Sequence, residues 1–254
     1  MVSFKIQSSV AFVTGTNKPN GIGRAIVEAL LTHGAAKVYA TARDSSQLDD
    51  LVAQHNGKVV AVALDVADLD AIAALSASYP DITLLVNNAG YLAGTSSVED
   101  VDKAVTEMKI NYIAPLAIGK TFATVFAKAE VTEDEANKPT AIVNVNSIGS
   151  LVNFPGAGTY SASKAAAHSL TQAQRRDMSS SLVIGVYPGP IDTDMADGFP
   201  FDKTPPSSVA QAVIDALENG AEDIFPDPMA KQLHEGWKTN AKAMEQQMAT
   251  FVVA

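Results

Sequence analysis

The sequence has 254 residues, a formal net charge of −10 at pH 7 and no cysteine. The acidic balance disfavours nucleic acids and anionic membranes as partners. The lack of cysteine excludes disulfides, thiolate catalysis and thiolate metal sites, and the four histidines show no ligand spacing, so we expect no metal centre. The first ten residues are too polar for a signal peptide, and no run approaches eighteen apolar residues. We therefore expect a cytoplasmic protein that binds neither nucleic acid nor membrane.

Taken in chain order, short β-branched runs alternate with amphipathic windows. The runs predict strands near 9–14, 37–42, 58–64, 82–87, 140–146 and 182–187. The windows predict helices near 22–33, 68–77, 98–128, 159–178 and 207–218. Strands that are apolar throughout and separated by helices are typical of a parallel sheet covered on both faces. The predicted fold class is α/β, a single-domain Rossmann-type doubly wound parallel sheet with three α/β/α layers.

No linker, internal repeat or low-complexity tract divides the chain, so residues 1–254 are expected to form one domain. The acidic stretch Glu130–Asn137 is interpreted as a solvated loop before the fifth strand. The segment of about 190–206 follows the sixth strand at the edge where open α/β sheets bind ligands. It is a candidate substrate-covering loop, with a plain surface loop as the alternative. A last strand and a helix are expected over about 222–250, with Trp237 near the sheet edge or the substrate cleft.

A glycine-rich turn connects the first strand to the first helix. Gly15, Gly21, Ile22 and Gly23 stand in the run from Thr14 to Gly23. Glycines there let the backbone approach a pyrophosphate, and the helix N-terminus supplies N–H groups and a partial positive charge. A glycine-rich turn is often only a turn, but its place between a strand and a helix favours nucleotide binding.

Polar residues end the next strands at the same edge of the predicted sheet. Asp65 and Val66 end the third strand, and Asn87-Asn88-Ala89-Gly90 ends the fourth. The Asp65 carboxylate can accept a hydrogen bond from an amino group, and Asn87, Ala89 and Gly90 would lie beside a dinucleotide. Each motif alone could be turn chemistry. Consecutive signals at the carboxyl ends of strands favour a dinucleotide site.

Tyr160 and Lys164 stand four residues apart, thirteen residues after Ser147. Residues at i and i+4 share one helix face, so the Lys164 ammonium can lie beside the Tyr160 phenol. A nearby positive charge favours phenolate and is expected to lower the phenol pKa from about 10. A phenol with a lowered pKa can donate or accept a proton near neutral pH. An isolated pair of this kind is more often two ordinary helix-surface residues.

Together these motifs resemble those of the short-chain dehydrogenase/reductase family over residues 8–226. The matching elements, in the family's order, are Thr14-Gly15 with Gly21-Ile22-Gly23, Asn87–Gly90, Asn111, Ser147, Tyr160 with Lys164, and Pro188-Gly189. The resemblance implies a nicotinamide cofactor and a catalytic tetrad of Asn111, Ser147, Tyr160 and Lys164. It also implies cofactor contacts at Tyr160, Lys164, Pro188, Gly189, Ile191 and Thr193.

The family precedent gives each member of the tetrad a role. Tyr160 would exchange a proton with a carbonyl oxygen, and Ser147 would hold the same oxygen in place. Lys164 would lower the phenol pKa and hold the nicotinamide ribose, while Asn111 would anchor a water that links Lys164 to solvent. His168 continues the i+4 series but rotates off the catalytic face. We expect it to pack against a neighbouring helix or subunit.

The end of the second predicted strand bears on cofactor choice. Ala42 occupies the place where NAD-preferring members of the family carry Asp, and Arg43 follows directly. An arginine suits a phosphate through its planar fork, which favours NADP(H). Arg43 as a solvated surface residue is the alternative. The glycine turn is two residues longer than the family usually has, so Asn17 and Lys18 are phosphate-binding candidates without a firm assignment.

The sequence therefore predicts an NADP(H)-dependent, carbonyl-reductase-like enzyme acting on a small-molecule carbonyl or secondary alcohol. The alternatives are an enoyl reductase or dehydratase on the same fold, and a non-catalytic NADP-sensing regulator. The first usually alters the Ser–Tyr–Lys spacing and the second tends to lose Tyr or Lys, and this chain does neither. By the family precedent we expect a homo-oligomer, either a dimer or a tetramer.

Overall fold

A computed structural model describes residues 3–94, 100–129 and 139–250. Its strands are β1 (Val10–Val13), β2 (Lys37–Ala42), β3 (Val59–Ala63), β4 (Leu84–Asn87), β5 (Thr140–Val145), β6 (Ser181–Val186) and β7 (Asp223–Ile224). All seven are parallel, in the order β3-β2-β1-β4-β5-β6-β7. The strand order reverses between β1 and β4, as in a doubly wound sheet. The predicted Rossmann-type fold is confirmed.

Helices join these strands and cover the sheet. They are α1 (Ile22–Thr32), α2 (Asp49–Gln54), α3 (Leu69–Ala73), α4 (Leu75–Ser78), α5 (Val101–Met108), α6 (Ala114–Ala129), α7 (Gly158–Asp177), α8 (Pro206–Asn219) and α9 (Pro228–Ala249). Every predicted strand and helix is present within a few residues of its expected bounds. The predicted loop Glu130–Asn137 lies outside the described residues.

The core has two sides because side chains alternate along each strand. Val13 of β1 belongs to an apolar cluster with Ile26 of α1 and Val213 of α8. Its neighbour Phe12 belongs to a second cluster with Phe122 of α6. The sheet is therefore buried on both faces, which explains why its strands are apolar throughout.

Three local features differ from the sequence expectation. Helix α2 was not predicted, since six residues carry too little periodicity to stand out. The window 98–128 contains a π-helical turn, Lys109–Ile113, between α5 and α6. Helix α9 is broken at Asn240, where φ is −159° and ψ is 92°, and the Asn240 Oδ1 accepts a hydrogen bond from Ala243 N. The tail is thus two helical segments.

The helical stretch Val101–Lys128 is long and apolar enough by length and composition to cross a membrane, since an 18-residue window within it has a mean hydropathy of 1.2. The sequence reading had found no such stretch. In the structure, Ile118, Phe122 and Phe126 of this stretch are buried in the cluster beside the sheet. Because the core helix of a globular protein meets the same criterion, we interpret the stretch as a core helix.

Candidate active site

A cavity of about 720 Å³ lies at the carboxyl ends of the strands. This volume falls in the range of roughly 300–1,000 Å³ that is typical of small-molecule and cofactor sites. Most of the predicted site residues line it: Gly15, Asn17, Lys18, Gly21, Ile22, Arg43, Asp65, Val66, Ala89, Gly90, Ser147, Tyr160, Lys164, Pro188, Gly189, Ile191 and Thr193. Three others, Gly23, Asn87 and Asn111, lie behind its wall.

The glycine turn after β1 is packed too tightly for side chains at two positions. Gly15 has a φ of +70°, and a Cβ built on it would lie 2.8 Å from Ala89 Cα. A Cβ on Gly23 would lie 2.5 Å from Gly15 O. Glycine is required at both positions, at the first for its left-handed backbone and at the second for close packing. Exposed backbone at this turn leads into the N-terminus of α1, an arrangement suited to a phosphate.

Hydrogen bonds tie this turn to the end of β4. Thr14 Oγ1 accepts from Asn88 N and Ala89 N over 2.9 and 3.0 Å. Asn88 Nδ2 donates to the carbonyl oxygens of Thr14 and Gly15, each over 2.9 Å. Asn87 Nδ2 instead donates to Asn144 Oδ1 over 2.8 Å, inside the sheet. Since successive side chains point to opposite faces, it is Asn88 that lines the cavity, in the place predicted for Asn87.

At the end of β2, a buried alanine is followed by an exposed cation. Ala42 is 4% exposed, and both Ala42 and Arg43 line the cavity. Among the described residues, Arg43 makes no ion pair and donates no side-chain hydrogen bond. The neighbouring Asp44 accepts hydrogen bonds from the backbone and side chain of Ser46, which lower the pKa of its carboxyl. The Arg43 guanidinium is therefore available to an anion.

The lengthened part of the glycine turn contacts the segment that follows β6. Lys18 Nζ lies 2.8 Å from Asp194 Oδ2, and Asn20 Nδ2 donates to Asp194 Oδ1 over 3.1 Å. Both contacts lower the pKa of the Asp194 carboxyl. Asp194 directly follows Thr193, one of the residues predicted to contact the cofactor. The lengthened turn is thus joined to the segment after β6, and both Lys18 and Asp194 line the cavity.

Ser147, Tyr160 and Lys164 line the cavity together, although they come from the end of β5 and from α7. Ser147 Oγ accepts from Gly149 N over 3.0 Å, and the Ser147 hydroxyl also interacts with the Tyr160 phenol. Lys164 Nζ donates to Val145 O over 2.8 Å and lies 5.8 Å from the centre of the Tyr160 ring. The predicted proximity of these groups is present.

The acidity of the phenol differs from the sequence expectation. Burial raises the pKa of Tyr160 to about 12, against the effect of the Ser147 hydroxyl and with a smaller contribution from the charge of Glu107. Burial also lowers the pKa of Lys164 to about 8. The sequence prediction of a phenol pKa below 10 is wrong for the protein without cofactor. Low solvation penalises the charged form of both groups.

Asn111 and Glu107 fix the wall segment that follows Gly90. Asn111 lies in the π-helical turn, and its side chain bonds Tyr91 N and Tyr91 O over 2.9 and 2.8 Å, with a third bond to Ser163 Oγ. One turn earlier, Glu107 Oε1 accepts from Ala93 N over 2.8 Å. Both side chains are almost fully buried. The structure therefore gives the Asn111 amide a role in holding this wall, and the predicted water beside Lys164 stays a prediction.

A family model described as short chain dehydrogenase matches residues 9–203 of the chain. The protein belongs to the short-chain dehydrogenase/reductase family. It is similar to the solved structure of a short chain dehydrogenase from Burkholderia cenocepacia J2315 in complex with NADP. Sequence identity is 34% and the TM-score is 0.88, with coverage of 98% of this chain and 100% of the other.

Two curated relatives extend this family comparison. The chain is 24% identical to an NADP-dependent 3-hydroxy acid dehydrogenase from Schizosaccharomyces pombe, over 91% of this chain and 95% of the relative. It is 30% identical to a 3-oxoacyl-(acyl-carrier-protein) reductase from Synechocystis, over 76% of this chain and 78% of the relative. Both relatives are named as oxidoreductases, and their names give different substrates.

Several residues that build this short-chain dehydrogenase site were missed by the sequence reading. Glu107 could have been found, because it stands four residues before Asn111 on the same helix face. Asp227 also had a signal, since Asp before Pro228 is typical of a helix start. Its carboxylate accepts from Gly189 N over 2.7 Å and from Ala230 N over 2.8 Å, which joins the Pro188-Gly189 turn to α9. Asp194 had no sequence signal.

His168 lies off the catalytic face, as predicted, but its described partner is not a helix. Its Nδ1 lies 2.7 Å from the Tyr187 hydroxyl, directly after β6, and the two rings meet edge to face at 5.4 Å. The reason is that α7 lies on the sheet beside the end of β6. Trp237 is 36% exposed on α9, whereas Leu233 and Met244 of that helix are buried.

Proposed function

We propose that this protein is an NADP(H)-dependent oxidoreductase that interconverts a carbonyl and a secondary alcohol, with Tyr160 as the general acid and base. The observation that carries the proposal is the shared cavity of Ser147, Tyr160 and Lys164 with a glycine turn and a free Arg43. Its full extent suits a dinucleotide together with a small substrate.

The residues present fit NADP(H). Gly15 and Gly23 leave a cradle that any Cβ would fill, and Arg43 offers an unpaired guanidinium at the end of β2. Gly21 and Ile22 would hold phosphate through backbone N–H groups, and Asp65 would accept from the adenine amino group. When bound, NADPH supplies the hydride for carbonyl reduction. Binding of NADP(H) also agrees with the NADP complex of the Burkholderia cenocepacia relative.

The side chains supply the proton and hold the oxygen. With a pKa raised to about 12, Tyr160 is protonated at neutral pH, which is the form required to donate a proton to a carbonyl oxygen. The Ser147 hydroxyl, placed beside the phenol, would turn its proton to the same oxygen when the substrate binds. Lys164, held by Val145 O, carries a charge beside the phenol that favours phenolate after the proton has left. These protonation states suit carbonyl reduction at neutral pH.

The experiment is to mix the purified protein with NADPH and a panel of ketones, aldehydes and enoyl compounds and to follow absorbance at 340 nm. Loss of absorbance with ketones, and an alcohol as product, is the expected result. Reduction of enoyl compounds alone would identify an enoyl reductase, while NADPH binding without any turnover would support a regulator.

Cytoplasmic localisation and assembly as a dimer or tetramer remain part of this proposal, and mass photometry tests the assembly.

A further inference from the structure

The charged side chains that line the cavity lie at the ends of β2 and β3, in one ion pair, or beside Tyr160. In the described lining they are Lys18, Arg43, Asp65, Lys164 and Asp194. Arg43 and Asp65 follow β2 and β3, Lys18 and Asp194 pair with each other, and Lys164 is bound to Val145 O beside Tyr160. No lining cation of the described residues is left for a substrate group beyond Ser147 and Tyr160.

The apolar end is made by side chains from three separate parts of the chain. They are Ile148 and Phe154 after β5, Met195, Phe199 and Phe201 after β6, and Met248 on α9. Ile148, Phe154 and Met248 pack in one apolar cluster. This wall is therefore built into the fold and is not a single exposed patch.

Met248 reaches the cavity because of the break in α9. Asn240 interrupts the helix and caps its second segment through Ala243 N. Met244 and Met248 lie on this second segment and are both buried, 8% and 3% exposed. The end of α9 is thus fixed against the substrate side of the cavity by two methionines one turn apart.

The cation nearest in sequence to this apolar end is Lys203, whose Nζ lies 3.7 Å from Asp197 Oδ1 and which is not a lining residue of the cavity. The charge of Glu107, which is fully buried, acts on the neighbouring Tyr160. A carboxylate taken into such a site loses its hydration without gaining a partner, which is strongly unfavourable.

We infer that the substrate is an uncharged carbonyl compound with an apolar chain or ring, and that carboxylates and phosphates close to the carbonyl are rejected. This inference rests on the proposed function and names the substrate class for the same site. The apolar groups of the substrate would contact Phe154, Met195 and Met248, while Ser147 and Tyr160 bind the oxygen.

Matched substrate pairs test the inference. We would measure NADPH-dependent kcat/KM for methyl 4-acetylbenzoate against 4-acetylbenzoate, and for methyl benzoylformate against benzoylformate. The rate at which borohydride reduces each compound without enzyme corrects for the intrinsic reactivity of its carbonyl group. After correction, each ester should be preferred by at least about 100-fold, since an unpaired buried carboxylate loses at least the equivalent of two factors of ten. Equal or faster reduction of the acids would overturn the inference.

A substitution at the rim separates charge from shape. Met195 is 45% exposed, so a lysine there should not disturb folding. Met195→Lys should narrow the preference for the ester by about tenfold more than Met195→Gln does, because the lysine adds a charge partner while both variants lose the apolar contact. Identical ratios in the two variants would contradict a role for charge.

Failure of the proposed function has a different signature. In that case neither member of a substrate pair is reduced, and ligand affinity is measured instead to test the inference. Calorimetry of the protein with NADP⁺ would compare the alcohol of methyl 4-acetylbenzoate with that of 4-acetylbenzoate. Tighter binding of the ester alcohol supports the inference, and tighter binding of the acid overturns it, whether or not turnover occurs.

Discussion

The two ends of the cofactor cavity are held in different ways. At the catalytic end, Lys164 is bound to Val145 O over 2.8 Å, and Asn111 makes three hydrogen bonds to Tyr91 and Ser163. At the phosphate end, the lengthened glycine turn meets the segment after β6 through Lys18 and Asp194, whose side chains are 60% and 49% exposed.

This difference has energetic consequences. Buried hydrogen bonds to backbone groups leave few alternative positions, so the catalytic groups are preorganised before any ligand binds. An exposed ion pair contributes about 0–1 kcal/mol and is screened by salt. Substitutions at the catalytic end should therefore lower the catalytic rate steeply, whereas substitutions at the phosphate end should change cofactor affinity only moderately. The predictions below test that contrast.

The largest effect is expected at Tyr160. Tyr160→Phe removes the proton donor and keeps the ring, so carbonyl reduction should fall by at least the roughly 10²–10⁴-fold typical of one acid–base group. NADPH affinity, measured by fluorescence titration, should stay the same. Turnover within about threefold of the parent would remove Tyr160 from the mechanism.

Cofactor selection should change next most strongly. Ala42→Asp combined with Arg43→Ala adds an acceptor for the NAD ribose hydroxyls and removes the cation for the 2′-phosphate. With about 1.5–3 kcal/mol per charge-assisted hydrogen bond, the preference should shift towards NADH by about two or more orders of magnitude.

The measurement is kcat/KM with both reduced cofactors for the parent, the double variant and Arg43→Ala alone. A parent that already prefers NADH would make Arg43 a surface residue and the assignment of NADP(H) wrong. If the double variant still prefers NADPH, another group binds the 2′-phosphate, and Lys18 is the first to test.

A smaller effect is expected at the exposed ion pair. Asp194→Asn leaves Lys18 without its charge partner beside the cavity, so affinity for NADPH should rise by about two- to fivefold, in line with a surface pair. The gain should shrink at high salt because exposed charges are screened. Weaker binding of NADPH and NADH alike would mean that the pair instead holds the turn in place.

The smallest effect is a change in pH dependence. The charge of Glu107 adds to burial in raising the pKa of Tyr160, so Glu107→Gln should lower that pKa. Alcohol oxidation needs the deprotonated phenol. The rising limb of the plot of oxidation rate against pH should therefore move to lower pH in the variant. The glutamine keeps an oxygen acceptor for Ala93 N, and an unchanged melting temperature is the control. A limb that stays in place or moves to higher pH would argue against this electrostatic role.

The sequence predicted what is local to the strand ends. The glycine turn and Ser147 follow strands whose apolar runs are easy to see, so their meeting at one edge follows from a parallel sheet. Tyr160 and Lys164 lie on α7, and their place beside Ser147 was expected from the family resemblance. The π-helical turn at Asn111 could not be predicted, because it accompanies hydrogen bonds to Tyr91, twenty residues away. The break at Asn240 is likewise unmarked by composition.

Properties set by burial and by distant contacts were harder to predict. The pKa of Tyr160 was expected to fall, because the charge of Lys164 is visible in the sequence and the loss of solvent is not. Lys18 and Asp194 are far apart in the chain, and no sequence pattern indicates that they form an ion pair. The apolar end depends on Met248, which reaches the cavity through a change of direction in α9.

The central claim is that this protein transfers hydride between NADP(H) and a carbonyl carbon. The most direct test uses NADPH carrying two deuterium atoms at the nicotinamide C4 with a reactive ketone ester such as methyl benzoylformate. Mass spectrometry should find one deuterium on the carbinol carbon of the alcohol, and at least about 100-fold less labelled alcohol per unit time when Tyr160→Phe replaces the parent. NADPH bound at saturating concentration, with no deuterium in any product of a broad carbonyl panel, would contradict the account.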